Sequence, residues 1–422
     1  MKKIYIKNYK GFKEQIIELS DVNFLVGENS TGKTSLMNLI NIRCSQEFWF
    51  NRQFNNSEIE LGYFDEIISK NANEKTFQIG TERGETSNNG KVSKVVRILF
   101  QFKSHKSLPK IDFIRFAIND LNVHVVPGLK KLNYTYSFEQ IEAFQSWVQL
   151  KSKKGKNFEM SLPDLQFPIP ILFQIITTTI KKEVDKEIGE IDYSDGIFFQ
   201  RYTWLAPIRA KAKRIYESYN IKFSPEGEHI PSLLKNLLSH TKNRQQTLEI
   251  LERFGQESNL FDTIEINELG DKNISPFEII VRYNNTPIKL TNVGYGVSQI
   301  LPLIVEMLSA RKRTFAIQQP EVHLHPKAQA AFGSFLYKAC INEEHSFLIE
   351  THSDFTINRF RYSMLNSQTK KIVSSQVLFF ERTADGNSIS KIPISSDGSF
   401  GVELPDAYRN FFIDEELKLL EL

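Results

Sequence analysis

The residues best equipped for chemistry are Gly27-Glu28-Asn29-Ser30-Thr31-Gly32-Lys33-Thr34, with Ser35 next in line. Two glycines at this separation, followed by Lys and Thr, give the GxxxxGKT spacing of a phosphate-binding loop. Glycine lets consecutive backbone N–H groups converge on one concavity, and a helix starting there adds a fixed positive partial charge. Lys33 is then expected to bridge β- and γ-phosphates, and the Thr34 hydroxyl to hold magnesium. The flanks fit. Phe24-Leu25-Val26 is an apolar strand that stops at Gly27, while Leu36, Met37, Leu39, Ile40 and Ile42 recur at helical spacing.

A phosphate loop of this kind works with acids at the end of a neighbouring strand. The candidate is Thr314-Phe-Ala-Ile317 running into Gln318-Gln319-Pro320-Glu321-Val-His323-Leu-His325-Pro326, where both expected acid positions are amides. An amide hydrogen-bonds water and phosphate oxygens but carries no charge to polarise an attacking water. Hydrolysis is therefore expected to be slow. Glu321 could substitute, although Pro320 is expected to aim it elsewhere. His323 and His325 lack acidic or cysteine ligands at matching spacing, so a loop-shaping role is expected rather than zinc. Farther on, Phe347-Leu-Ile349-Glu350-Thr351-His352-Ser353-Asp354 ends a second apolar strand in polar groups, and His352 is placed to meet a γ-phosphate. Gly294, Gly296 and Ser298 precede Ile300–Leu308, with Ser298 expected as N-cap and Pro302 in the first turn. Glycines before a helix make a second anion site, best explained as completing the nucleotide pocket of another copy.

The elements that must hold these groups can be traced along the chain. Its 422 residues, 41% hydrophobic and 24% charged, fit two or three folded units and exclude collagen-like, disordered and disulfide-scaffold classes. A net charge of +3 leaves any nucleic-acid binding to local patches. Cys44 and Cys340 are too few and too distant for zinc or disulfide stapling, which fits a reducing cytoplasm. The N-terminus lacks a signal-peptide core, and the apolar run 169–180 is too short to span a bilayer, so no membrane is expected. Residues 45–90 read as loops, and 91–103 and 111–136 as antiparallel strands. Helical spacing appears at 138–150, 173–188, 231–238 and 247–254, a strand at 277–283, and helix alternates with strand from Ile300 onward. That last pattern marks a parallel sheet covered by helices. The expected division is residues 1–137, an N-terminal lobe with the phosphate loop and antiparallel sheet, 138–262, a mainly helical insertion, and 263–422, a C-terminal lobe. The fold class is α/β.

Taken together, the four motifs resemble the ABC-type ATPase head of SMC, RecF and OLD-family proteins, a P-loop NTPase with an antiparallel β subdomain and an inserted helical subdomain. VGENSTGKTSL looks like its Walker A motif, NVGYGVSQ its signature, QQPEVHLHP its Walker B and D-loop, and ETHSD its switch-histidine loop. The resemblance implies ATP and Mg2+, with ATP sandwiched in a homodimer between Walker A of one copy and the signature of the other. It assigns Lys33 and Thr34 to phosphate and metal, Ser298 to the partner copy's γ-phosphate and His352 to sensing it; Gln318 and Gln319 depart from the family's acids, which leaves Gln318 on the metal side, Gln319 and Glu321 as the groups nearest the water, and fast turnover unexpected.

Trp204-Leu-Ala-Pro207-Ile-Arg209-Ala-Lys211-Ala-Lys213-Arg214 and Ser224-Pro-Glu-Gly227-Glu-His229-Ile-Pro231 resemble the PtuA ATPases of Septu and retron anti-phage systems. That narrower resemblance implies a scaffold forming higher homo-oligomers and restraining a separate HNH nuclease, PtuB. The cluster Arg209–Arg214 could face DNA, retron nucleic acid or a partner, or be a solvated stripe. Alternatives are a RecF- or SMC-like DNA-repair clamp and an OLD-type nuclease. The last is disfavoured because about seventy residues follow His352 and no DxD occurs.

Overall fold

The computed structural model describes residues 3–86, 92–128, 131–150, 158–161, 168–184, 188–189, 201–217, 222–239, 241–270, 275–369, 371–401 and 404–412. The chain divides into two compact units assembled from separated segments. Met1–Leu19, Glu28–Arg201 and Phe380–Ile389 form the first, and Ser20–Gly27, Tyr202–Phe379 and Ser390–Leu422 the second.

The chain opens with β1 (Lys3–Tyr9), β2 (Phe12–Glu18) and β3 (Val22–Gly27), then α1 (Lys33–Cys44), α2 (Gln46–Asn51) and α3 (Phe64–Ile67). Next come β4 (Thr76–Thr86), β5 (Val92–His105), β6 (Leu108–Ile118), β7 (Leu121–Pro127), β8 (Lys131–Phe138), α4 (Phe144–Val148), β9 (Phe158–Ser161) and α5 (Ile169–Val184). An eight-stranded antiparallel sheet, ordered β2-β1-β4-β5-β6-β7-β8-β9, dominates the first unit. Strand β4 falls in the stretch expected to be loop. Its Phe77 and Ile79 are buried, a period-two pattern obscured by the polar residues around it.

Packing against this sheet fixes α1. Phe48, Trp49 and Phe54 meet Phe100 and Phe102, with Phe54 and Phe102 centroids 4.9 Å apart. Arg43, in the last turn of α1, lies 3.9 Å from the Trp49 ring centroid and donates to Thr81 Oγ1 at 2.9 Å. Burial pushes its guanidinium down to about 9. The helix that begins at the phosphate loop is thereby tied to β4.

The second unit continues with β10 (Tyr202–Leu205), α6 (Ile230–Ser239), α7 (Thr241–Ser258), β11 (Thr263–Glu268), β12 (Phe277–Tyr283) and β13 (Thr286–Lys289). Then follow α8 (Tyr295–Leu308), β14 (Thr314–Gln318), α9 (Pro326–Asn342), β15 (Ser346–Glu350), α10 (Asp354–Leu365), β16 (Ser375–Thr383) and β17 (Gly386–Ile394). One sheet runs β10-β14-β15-β3-β16-β17, and β11-β12-β13 form a small antiparallel sheet. Strands β10, β14, β15 and β3 are mutually parallel neighbours. Phe315-Ala-Ile317, Phe347-Leu-Ile349 and Phe24-Leu-Val26 are buried throughout, as expected for strands covered on both faces. Among the described residues, no helix is long and apolar enough to cross a membrane.

The units do not follow the expected divisions at 137 and 262. Residues 138–201 group with the first unit, and β10 joins the parallel sheet. The expected helix at 138–150 shrinks to α4, just long enough to bury Phe144, Trp147 and Val148 against Tyr5 and Leu99.

Helices α9 and α10 approach closely at Gly333, where a Cβ would lie 2.3 Å from Thr356 O. Gly333→Ala should cost about 1–3 kcal/mol by overpacking, read as a lower urea midpoint with unchanged slope.

Candidate functional site

The phosphate loop is built for backbone exposure. Gly27, Ser30 and Gly32 have φ of 145°, 63° and 100°. At Gly32 a Cβ would fall 2.5 Å from the Phe12 ring, so both the dihedral and the space require glycine. Glu28, Asn29, Ser30 and Thr34 are exposed, whereas Lys33 is only 3% exposed. Its ammonium donates to Glu28 O at 2.7 Å, and Thr31 Oγ1 donates to the same carbonyl at 2.8 Å. Arg382 Nη2 donates to Ser30 O at 3.2 Å. Helix α1 begins at Lys33 with Gly32 as N-cap, no capping side chain and no acid in its first turn. A helix start of this kind, beside a lysine, favours an anion.

In the second unit, parallel register aligns the strand ends. Gln318 lies opposite Glu350, and Glu350 opposite Leu25, two residues before Gly27. Ligands of open α/β sheets bind outside this carboxyl edge. Gln318 Nε2 donates to Glu350 Oε2 at 3.0 Å, and Gln318 Oε1 accepts from Trp204 Nε1 at 3.1 Å. Gln319 N continues the ladder to Glu350 O at 2.8 Å.

Gln319 itself is left-handed, with φ 43°, and turns the chain back before Pro320. The Glu321 carboxylate accepts from Thr351 Oγ1 at 2.9 Å and from His352 N at 2.7 Å, clasping the loop that follows β15. The His352 ring stacks on Phe411, 6.2 Å between centroids. Ser353 Oγ then caps α10. Gln318, Gln319, Glu321 and His352 are therefore brought together.

Arg209, grouped from sequence with surface cations, is 3% exposed and donates through Nη2 to Gln318 O at 3.1 Å. Its Nε and Nη1 have no hydrogen-bond partner among the described residues. Burial pushes the guanidinium down to about 10, with Glu321 pulling the other way. Lys211, Lys213 and Arg214 remain exposed. Sequence reasoning missed Arg209 and Trp204 as parts of the cluster. Glu350 was missed too, although it stood at the end of an apolar strand.

The signature segment differs from expectation. Gly294, not Ser298, is the N-cap of α8, and no side chain caps it. Ser298 sits inside the helix, its hydroxyl donating to Tyr295 O at 2.9 Å. The helix starts earlier because the backbone from Tyr295 already adopts helical geometry, which leaves Pro302 in the helix interior. Proline there has no N–H to donate to Ser298 O. Gly296 packs against the loop after β14, where a Cβ would lie 3.2 Å from His323 O, and the Tyr295 and His323 rings are 5.6 Å apart. His325 Nδ1 caps α9 by accepting from Ala328 N. Both histidines shape this loop.

Magnesium in a phosphate site draws on one or two protein oxygens, with phosphates and water supplying the rest. No group of three or more His, Cys, Asp or Glu disposed for a metal occurs among the described residues. Within the second unit, the Glu350 carboxylate and the Gln318 amide are hard oxygens of the kind such an ion takes.

Comparison with known proteins gives a match of residues 1–357 to the family model described as AAA ATPase domain. No curated protein matches the chain significantly. Among solved structures it is similar to the SMC head domain from Thermotoga maritima, with 12% identity, 92% of this chain and 98% of that one covered, and a TM-score of 0.40. It is also similar to an Smc head bound to the C-terminal winged-helix domain of ScpA, with 13% identity, 93% and 98% covered, and a TM-score of 0.44. A third is an Smc head domain with an extended coiled coil, bound to the C-terminal domain of ScpA derived from Pyrococcus furiosus, with 10% identity, 99% of each chain covered and a TM-score of 0.39.

Glu321→Ala should release the Thr351–His352 loop, since hydrogen bonds to a charged group contribute about 1.5–3 kcal/mol each. Hydrogen exchange at the His352 amide should rise by at least about tenfold, while the amides of β4 and β5 remain protected.

Proposed function

The chain belongs to the AAA ATPase domain family, and on that premise we propose that it binds ATP with magnesium, hydrolyses it slowly and uses nucleotide occupancy to govern assembly with further copies. The observation that carries this is the loop from Gly27 to Thr34, with a left-handed Gly32, a buried Lys33 and an uncapped helix start. Backbone amides and one cation at a helix N-terminus are what a polyphosphate needs. Lys33 contributes the side-chain charge and Thr34 the hydroxyl toward the metal; magnesium, when bound, offsets phosphate charge. Slow turnover is supported by the amide side chains of Gln318 and Gln319, because neither polarises water as a carboxylate does.

Gly294, Gly296 and Ser298 serve a second copy, closing over its γ-phosphate, and His352 reads whether that phosphate is present. In the cell this ATPase is a cytoplasmic scaffold of an anti-phage defence complex, restraining a separate HNH nuclease like PtuB of Septu and retron systems. Support comes from the segments around Trp204–Arg214 and Ser224–Pro231 together with Gln318–Pro326. A RecF- or SMC-like DNA-repair clamp is the alternative, favoured by the exposed Lys211, Lys213 and Arg214. DNA would stimulate turnover of a clamp and leave the scaffold unaffected.

Lys33→Ala should abolish ATP binding in calorimetric titration, and unchanged affinity would reject the nucleotide site. Gln319→Glu should raise phosphate release by about tenfold or more if a missing base limits turnover. Ser298→Arg should leave monomeric ATP binding intact but prevent nucleotide-dependent association in sedimentation.

A further inference from the structure

Within the second unit, the segments Trp204–Arg214 and Ser224–Pro231 are joined to each other and to α8. Ala206 N donates to Pro225 O at 3.0 Å, and Ala210 N to Glu226 O at 2.8 Å. Gly227, at φ 85°, presses the second segment onto the helix, where a Cβ would lie 3.1 Å from Pro302 Cβ. His229 Nδ1 accepts from Ser224 N at 3.3 Å, so its Nε2 carries the proton and donates to Glu306 Oε2 at 2.8 Å. Both side chains of that pair are buried. Farther along the first segment, Lys213 N donates to Tyr216 Oη at 2.8 Å, and the Tyr216 backbone pairs with Phe277 at the start of β12. The stretch from Ala206 to Tyr216 is thus held at both ends.

Between this stretch and α8 lies a concavity of about 470 Å³, open to solvent, which Lys211, Lys213 and Ser298 line together. Leu301 and Pro302 give it an apolar wall. Among the described lining residues the lysines outnumber the acid, Glu228. Lys211 and Lys213 are exposed, and neither forms an ion pair with another described residue. The Ser298 hydroxyl donates to Tyr295 O and can turn its proton to a stronger acceptor. Nucleic acid is held by cations spread along its backbone. Two ammonium groups and a hydroxyl around one recess match a single phosphate, and a terminal phosphate has more charge to offer than a diester.

We propose that Lys211 and Lys213 complete the anion site at the Ser298 corner and bind the terminal phosphate of the nucleotide carried by a second copy. This deepens, and rests on, the reading that the corner serves another copy. The two lysines then make assembly depend on whether the terminal phosphate is present, because their charge is left unmatched without it. Ala210 N and Lys213 N, tied to Glu226 O and Tyr216 Oη, hold them in place beside α8.

The test is sedimentation of the full chain at saturating magnesium and nucleotide, on wild type, Lys211→Gln/Lys213→Gln and Lys211→Arg/Lys213→Arg. Wild type should associate at least about tenfold more tightly with a non-hydrolysable ATP analogue than with ADP. The glutamine variant should melt like wild type yet lose most of that preference. The arginine variant keeps the charge and should retain at least half of it. A merely structural role would lower the melting temperature and weaken association equally with both nucleotides. An analogue preference undiminished in the glutamine variant overturns the proposal, as does an equal loss with analogue and ADP. A glutamine variant that keeps the preference but binds a labelled DNA oligonucleotide less tightly overturns it too, and gives the lysines to nucleic acid. Wild type that shows no nucleotide-dependent association overturns instead the reading that the corner serves a second copy.

Discussion

Parallel hydrogen bonding among β14, β15 and β3 is the constraint on which the rest depends. It sets Gln318 opposite Glu350 and Glu350 opposite Leu25, so three strands end together just as the chain enters its glycine loop. Each strand has a buried apolar centre, Phe315–Ile317, Phe347–Ile349 and Phe24–Val26, and β14 and β15 each end in a polar residue, so burial holds the sheet while polar groups meet at one edge. A slip of one residue would turn Gln318 and Glu350 to the opposite face and separate them from Trp204.

The polar edge is held by bonds between neighbours of different kinds. An indole orients an amide, the amide meets a carboxylate, and a second carboxylate, Glu321, clasps the loop bearing His352. Gln319 stays in a left-handed conformation so that Glu321 can turn back, a local strain of the sort concentrated at functional sites. The buried Arg209, two of whose nitrogens have no hydrogen-bond partner among the described residues, is a second irregularity at this place. Both lie at the same strand end.

How much of this could be read in advance depended on distance along the chain. The phosphate loop was legible because glycines, lysine, threonine and the flanking strand and helix are contiguous. The alternation of helix and strand after Ile300 was legible for the same reason. Glu350 was not, because its meaning arises from a pairing with Gln318 that only the parallel register creates. Arg209 looked like one of several surface cations, since spacing cannot reveal that a carbonyl of β14 draws it inward. Strand β4 hid behind Asn- and Gln-rich flanks, and β10 behind a stretch dominated by helical spacing. Serine is a residue type that prefers the cap position, which points to Ser298, yet Gly294 starts the helix.

The most direct measurement is a structure of the chain loaded with magnesium and a non-hydrolysable ATP analogue. The account requires the phosphates to lie on the backbone of Gly27–Thr34, with Gly294–Ser298 of a second copy against the terminal phosphate. Phosphates bound away from that loop, or a glycine–serine corner facing no nucleotide in any copy, would contradict it.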